Sequence, residues 1–328
     1  MKKGKKFNMV ASIILAVFGP LVMTEGATAV DYPNRPVRMI VSFPPGGAAD
    51  SCSKIVAKRA SEFLGQPIVS EYKPGGGGTI AAAYVAKSKP DGYTLWLGST
   101  SAASVAPLVK TNPGYTMEDF VHISGYAMGP QMINAKKGGR WNTLHEFIAD
   151  AKQNPGKYTY TTPAALGLNH LIIEALCKKA GIKLTFVPFP GAAEANAALL
   201  GGHVDITCTG GTMGLYEGGR LNVLAISEEK RLKFYPEIPT LTELGYPIVI
   251  SCLYFLSIPR GTPQEVIDKL YDAHKKAFAR YGEEIAALLT KIEMFPSFLN
   301  HEEVRKWHHQ ERGIFYETAK ELGVLANP

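Results

Sequence analysis

The sequence predicts an α/β protein of two domains joined by a hinge, on three observations. Strand-like runs alternate with helical patterns from Val37 to Gly98; the alternation resumes near Thr143 and continues to Cys208; beyond Ile258 only helices are legible. A helical block without strands cannot bury its own apolar faces, so it has to wrap the first α/β block. The expected division is therefore residues 30–127 with 252–328 in one domain and residues 128–251 in the other.

The elements follow in order. Residues 1–29 read as a secretory signal cut after Ala29: Lys2, Lys3, Lys5 and Lys6 precede the apolar run Met9–Met23, and Ala27-Thr28-Ala29 closes it. That run holds 15 residues with Gly19-Pro20 inside it, against the ~20 of a spanning helix. Without this segment the charge balance is 31 Lys and Arg against 28 Asp and Glu, a net of +3. No basic stripe remains for nucleic acid.

Val37 to Phe43 is a strand-like run, and Ala49 to Leu64 carries Ile55, Val56, Ala60, Phe63 and Leu64 at helical spacing, closed by Gly65. A second unit joins the strand Ile68 to Tyr72, the loop Pro74 to Gly78 and a helix from Thr79 to Lys87. A third strand, Thr94 to Gly98, ends in Ser99-Thr100-Ser101. The alternation predicts a mainly parallel sheet with helices on both faces.

In the second block, Thr143 and Glu146 form a capping box for a helix that ends near Asn154-Pro155-Gly156. The strand Tyr158 to Thr162, a helix from about Leu166 to Ala180, the run Leu184 to Phe189, a helix from Ala192 to Leu200 and the run Val204 to Cys208 follow. After the β-rich run Ile248 to Ile258, Thr262 and Glu265 form a further box with Pro263 at the first helical position. Helices are expected over 263–281, 283–291 and 301–322, the last with a box of Asn300 and Glu303.

Gly46-Gly47 and Gly75 to Gly78 each precede a helix, where unpaired amides and the helix dipole favour an anion. A phosphate loop is not what they spell. Thr79-Ile80-Ala81, with no lysine, stands directly after Gly78, and Ile80 occupies the third glycine position of the dinucleotide fingerprint. Asp50 is open to two readings, a ligand contact or a carboxylate placed favourably in a first helical turn.

Catalytic patterns are weak. Ser99 and Ser101 lack the glycine of a nucleophile elbow. His308 and His309 point about 100° apart on a helix and make a poor metal pair. His170, beside Asn169, reads as a structural hydrogen-bonding residue. Cys52, Cys177, Cys208 and Cys252 are too widely spaced for a zinc motif, and three disulfide pairings stay open; Cys208 and Cys252 read as small buried thiols. No cofactor and no metal is expected.

Eight fragments then add up to a resemblance over nearly the whole chain after the signal. They are Tyr32-Pro33-Asn34-Arg35-Pro36-Val37-Arg38, Phe43-Pro44-Pro45-Gly46-Gly47 with Asp50, Gly65-Gln66-Pro67, Lys73 to Gly78, Pro90 to Leu95, Asn154 to Lys157, Leu200 to Asp205, and Pro259 to Pro263. In this order and spacing the sequence resembles the solute-binding proteins of tripartite tricarboxylate transporters, the Bug-type receptors. The resemblance implies a fold like the type II periplasmic binding proteins, with the ligand cleft between two α/β domains. It implies a monomeric periplasmic receptor, not an enzyme, that closes on a small organic carboxylate and delivers it to a membrane permease.

Mapped onto this chain, the resemblance puts Phe43, Gly46, Gly47, Ala48, Ala49 and Asp50 in one wall, with donors from Ser99, Thr100 and Ser101. The other wall would draw on Ala164, Ala165, Gly167, Asn169, His170 and Thr209. There the sequence departs from the family pattern: hydroxyls are lost from the run Ala164 to His170, and Thr209 stands where an Asp is frequent. A less polar wall predicts a mono- or dicarboxylate with an aliphatic or aromatic body rather than citrate. A sensory receptor with the same cleft is an alternative reading, and a hydrolase or transferase a more distant one.

Overall fold

The computed structural model of the protein describes Met1 and residues 31–326, so the expected signal and its cut fall, but for Met1, outside the described residues. From Tyr32 onward the chain forms one unit. Its strands are β1 (Val37–Val41), β2 (Ile68–Tyr72), β3 (Thr94–Ser99), β4 (Phe120–Pro130), β5 (Met132–Lys136), β6 (Thr159–Thr161), β7 (Thr185–Phe186), β8 (Ile206–Thr209), β9 (Leu221–Ile226), β10 (Ser251–Pro259) and β11 (Phe295–Pro296). Its α-helices are α1 (Ala48–Leu64), α2 (Thr79–Ala86), α3 (Ala106–Val109), α4 (Leu144–Gln153), α5 (Leu168–Ala180), α6 (Ala192–Gly201), α7 (Met213–Glu217), α8 (Gln264–Thr290) and α9 (His301–Leu322).

Two sheets result, ordered β11-β4-β10-β3-β1-β2 and β7-β6-β8-β5-β9. The first three strands pair in parallel, so the loops after β1, β2 and β3 leave from one edge. The rest of that sheet corrects the expectation of a mainly parallel one: β10 runs antiparallel to both β3 and β4. The physical reason is connectivity. β4 carries the chain out towards the second sheet and β10 brings it back, so neighbours in space run in opposite directions. In the second sheet, β5 is likewise antiparallel to β8 and β9.

β4, β5, β9 and β11 are absent from the expected elements. β4 reads FVHISGYAMGP, where polar residues and glycines blur the apolar alternation. Two cores flank the first sheet. One holds Trp96, whose ring lies 4.7 Å from Phe120 and 5.4 Å from Phe255, with Val304 of α9 in the same cluster. On the other face α1 and α8 pack together, with Val56, Ala60, Leu270 and Ala273 all buried.

The boxes at Thr143/Glu146 and Asn300/Glu303 form. The one expected at Thr262/Glu265 does not: Thr262 Oγ1 donates to the Pro259 carbonyl at 2.8 Å, and Pro263 itself stands at the N-cap of α8. The break expected between residues 281 and 283 is a kink inside one helix, where Tyr281 has φ −113° and ψ 18°.

The sheets communicate through a short crossing. Between β4 and β5, the Gln131 carbonyl accepts from the Ser227 amide at 2.9 Å; the Ser227 carbonyl in turn accepts from the Ile250 amide at 2.8 Å. The outgoing segment is thus hydrogen-bonded to the returning one where the chain bends. Among the described residues no helix is long and apolar enough to cross a membrane.

Candidate functional site

The loop after β1 is built to stand still. Ser42 Oγ accepts from Trp96 Nε1 at 2.9 Å and donates to the Leu97 carbonyl at 3.2 Å, which pins the strand end to its neighbour. Pro44 and Pro45 then restrict the backbone, and Gly46 turns at φ 87°, a left-handed conformation that disfavours any side chain. Gly47 is the N-cap of α1, with no side chain satisfying the first amides of the helix.

Asp50, third in α1, is occupied by the protein's own donors. Its Oδ2 accepts from the Gly46 amide at 2.8 Å and from Lys54 Nζ at 2.9 Å, and its Oδ1 from the Tyr72 hydroxyl at 2.6 Å. Desolvation pushes its pKa upward, but these hydrogen bonds outweigh it and hold the carboxyl below its usual range. The residue is 3% exposed. It fixes the loop, and it does not line the cavity described next.

Between the sheets lies a cavity of about 40 Å³, several times the ~10–15 Å³ that one water needs. One wall is made of Phe43, Pro44, Pro45, Gly47, Ala48, Ala49, Ser99, Ser101, Cys252 and Tyr254; the other of Pro163, Leu168, Asn169, Ala192, Ala193, Glu194 and Gly210, with Gln131 at the crossing. Three helices present their N-termini to it: α1, α5 and α6, N-capped by Gly47, Gly167 and Gly191, none with a side-chain cap. The walls touch. The Leu168 amide donates to Ser101 Oγ at 3.3 Å, and a Cβ placed on Gly211 would lie 3.6 Å from that of Ala48.

Of the residues expected at the site, Phe43, Gly47, Ala48, Ala49, Ser99, Ser101 and Asn169 line this cavity. Ser99 Oγ is buried with no hydrogen-bond partner in the protein. The others lie elsewhere. Gly46 spends its amide on Asp50. Thr100 is buried behind the wall, its Oγ1 accepting from the Leu253 amide at 2.9 Å. Gly167 abuts Ser101, and Ala164 and Ala165 line a neighbouring depression of about 430 Å³ that also takes in Phe43, Pro163 and Lys110.

His170 packs its ring 4.5 Å from that of Phe186, with Nε2 at 3.5 Å from the Tyr160 hydroxyl; burial lowers its pKa, opposed in part by Glu174. Thr209 is also buried, donating to Asn196 Oδ1 at 2.9 Å and accepting from Asn134 Nδ2 at 3.1 Å.

The model of the tripartite tricarboxylate transporter family receptor matches residues 52–314. The chain belongs to this receptor family. A relative from Cupriavidus necator, named for the gbd 5′ region, is 35% identical over 87% of this chain and 86% of its own. The solved periplasmic binding protein BugD superposes with a TM-score of 0.85 at 29% identity, covering 90% of this chain and all of its own. The R. palustris protein Rpa4515, solved with adipate, gives the same TM-score and identity over 90% of this chain and 99% of its own. The receptor family and these neighbours are solute-binding proteins, not enzymes, and the two α/β domains of this receptor are theirs.

Several lining residues of this receptor escaped sequence reasoning. Gln131 lies between two unrecognised strands; its Nε2 donates to the Gly129 carbonyl at 2.7 Å and its Oε1 accepts from Asn169 Nδ2 at 2.6 Å. Ala192, Ala193 and Glu194 open α6 directly after Pro190-Gly191, the same proline-glycine signal that marked the first wall, and could have been found by it. Cys252 and Tyr254 alternate on β10 and reach the cavity only because that strand sits beside β3. All four cysteines are free and buried, and burial pushes the Cys252 thiol up to about 12.

Proposed function

We propose that this receptor works in the periplasm, closes its cleft on a small mono- or dicarboxylate with a largely apolar body, and delivers it to the permease of a tripartite transporter. The domain division 30–127 with 252–328 against 128–251 is part of the reading, since the bend at Gln131 and Ser227 would be its hinge. One observation carries it: three glycine-capped helix N-termini and the unpartnered Ser99 hydroxyl converge on one cavity between the sheets. The Leu168 amide is taken by Ser101, but the remaining amides in these first turns, with the aligned helix dipoles, are suited to a carboxylate and need no arginine clamp. Pro44, Pro45, Phe43, Pro163 and Leu168 around them favour an apolar body. Adipate in Rpa4515 is a carboxylate of this kind. The periplasmic location is supported by the lysine-rich, apolar N-terminal sequence and by the description of BugD as a periplasmic protein.

The test is thermal unfolding of the ligand-stripped protein against a panel of carboxylates. A true ligand at a hundred times its Kd adds ~2.7 kcal/mol of stability. At least one aliphatic or aromatic acid is expected to raise Tm, and more than citrate does. A folded protein whose Tm no carboxylate moves would falsify the reading.

A further inference from the structure

Glu293 joins the two sheets from a position that its own backbone resists. It stands between α8 and β11, and β11 pairs with β4 of the first sheet. Its carboxylate reaches to the second sheet's side. Oε2 accepts from the Thr212 amide at 2.8 Å and Oε1 from the Met213 amide, at the opening of α7, which follows β8. The residue is 5% exposed, and among the described residues only it and Leu166 are non-glycines with φ in the left-handed region. Such outliers persist only where the surroundings hold them. Thr212, the N-cap of α7, does not cap it with its own side chain: its Oγ1 donates to Asn134 Oδ1 at 3.2 Å.

Both ends of this tie lie beside the crossing between the sheets. Phe295 pairs with Met128, and a Cβ on Gly129 would stand 3.6 Å from Met294 Cε. On the other side, a Cβ on Gly210 would stand 3.0 Å from the Pro130 carbonyl oxygen and 3.4 Å from Gln131 Nε2. A contact this close to the bend has a short lever arm, so it moves little when the far edges of the walls part. The segment it grips runs on into the cavity: Gly210 lines it, and Gly211 lies against Ala48 of the opposite wall. The Ser101–Leu168 bond between the walls is neutral and 3.3 Å long, whereas a hydrogen bond to a carboxylate is roughly twice as strong as a neutral one.

We infer that Glu293 is a positioning residue of the cleft, a side-chain strut beside the bend that fixes the axis about which the walls turn and the place of Gly210 at the cavity. This rests on the hinge proposed above at Gln131 and Ser227 and on no ligand.

Distances between two spin labels on the ligand-free protein test it, with the labels at Val69→Cys and Lys183→Cys. Both sites are exposed, on β2 and beside β7, the outer strands of the two sheets. Burial pushes the Glu293 carboxyl up to about 7 against the pull of the amides, so the measurement is made at about pH 8.5, where it is ionised. Glu293→Ala and Glu293→Gly both remove the carboxylate. Glycine also accepts the left-handed backbone, so that variant keeps more stability and carries the test if the alanine variant fails to fold. In each folded variant the share of molecules outside the parent's range of distances is expected to rise about tenfold, the worth of one charge-assisted hydrogen bond. Asp205→Asn, which alters a carboxylate that accepts from the Thr159 amide at 2.7 Å inside the second sheet, is expected to keep the parent's range. An unchanged range in Glu293→Gly, or equal broadening in Asp205→Asn, overturns the inference. The carboxylate panel, measured separately, decides the receptor reading.

Discussion

The Leu168 amide at the start of α5 donates to Ser101 Oγ at 3.3 Å, a hydrogen bond that runs from one wall of the cleft to the other. Both residues line the cavity. The bond exists only when the walls are together, so its energy is added to closure and through closure to ligand affinity. Ser101→Ala is expected to weaken ligand binding about fivefold, the worth of a neutral hydrogen bond of ~1 kcal/mol. Ligand-free Tm should barely move. Titration of the variant with the tightest acid of the panel checks this, and unchanged affinity would remove Ser101 from the closing contacts.

Asp50 gives the opposite signature. It holds Gly46, Lys54 and Tyr72 in place, and Asp50→Ala removes these bonds from an exposed amide and a half-buried hydroxyl that water can still reach, costing ~1–2 kcal/mol. Denaturant unfolding without ligand should show this loss in full. Lys54→Ala should cost less than ~1 kcal/mol, because its end of the ion pair is exposed. A normal ligand-free stability for Asp50→Ala, with affinity lost, would return Asp50 to the role of a ligand contact.

Glu293 reaches from the segment after α8 to the start of α7: Oε2 accepts from the Thr212 amide at 2.8 Å and Oε1 from the Met213 amide. Its backbone stands in the left-handed region at φ 60°, so the carboxylate is placed by an unfavourable conformation that its two bonds offset. Glu293→Ala leaves two buried amides without acceptors and is expected to destabilise by ~2–4 kcal/mol. Calorimetry would check it; a loss below that of an ordinary surface substitution would deny the contact its structural role.

Glu228 and Glu311 supply a pH dependence. Burial pushes both carboxyls from 4.5 up to about 7; for Glu311 the like charge of Glu228 adds to the effect, and for Glu228 a hydrogen bond from Ser251 opposes it. Between pH 4.5 and 7 the folded state then keeps protons that the unfolded chain releases, so these groups make stability fall as pH rises. His122 and His308, lowered by burial to about 4 and 3, work the other way and lose stability as pH drops below 6.5. The difference between variant and parent isolates the glutamate. Tm of Glu311→Gln minus that of the parent is expected to increase from pH 4.5 to 7.5; a flat difference would contradict the assignment.

Local signals in the sequence located much of the first wall. Gly46-Gly47 before a helical pattern marked the start of α1, and Ser99 to Ser101 after an apolar run marked the end of β3, because turn chemistry and strand alternation act over a few residues. The same reasoning failed on β4 and β5, whose glycines and polar residues carry little alternation and whose strand character comes from being clamped between partners distant in sequence. With those strands missing, Gln131 had no place at the site.

Periodicity and short motifs are written along the chain, so the order of residues was enough to give the two α/β blocks, the helical block after them, the family, and a carboxylate-suited glycine loop. Which residues face the cavity depended on the packing of distant segments. It turned Asp50, Thr100, His170 and Thr209 to partners within the protein, and it brought Ala192, Ala193 and Glu194 at the start of α6 to the second wall. The reason is physical: a polar side chain serves a ligand only if no nearer donor or acceptor claims it, and that competition is settled by contacts between residues far apart in sequence.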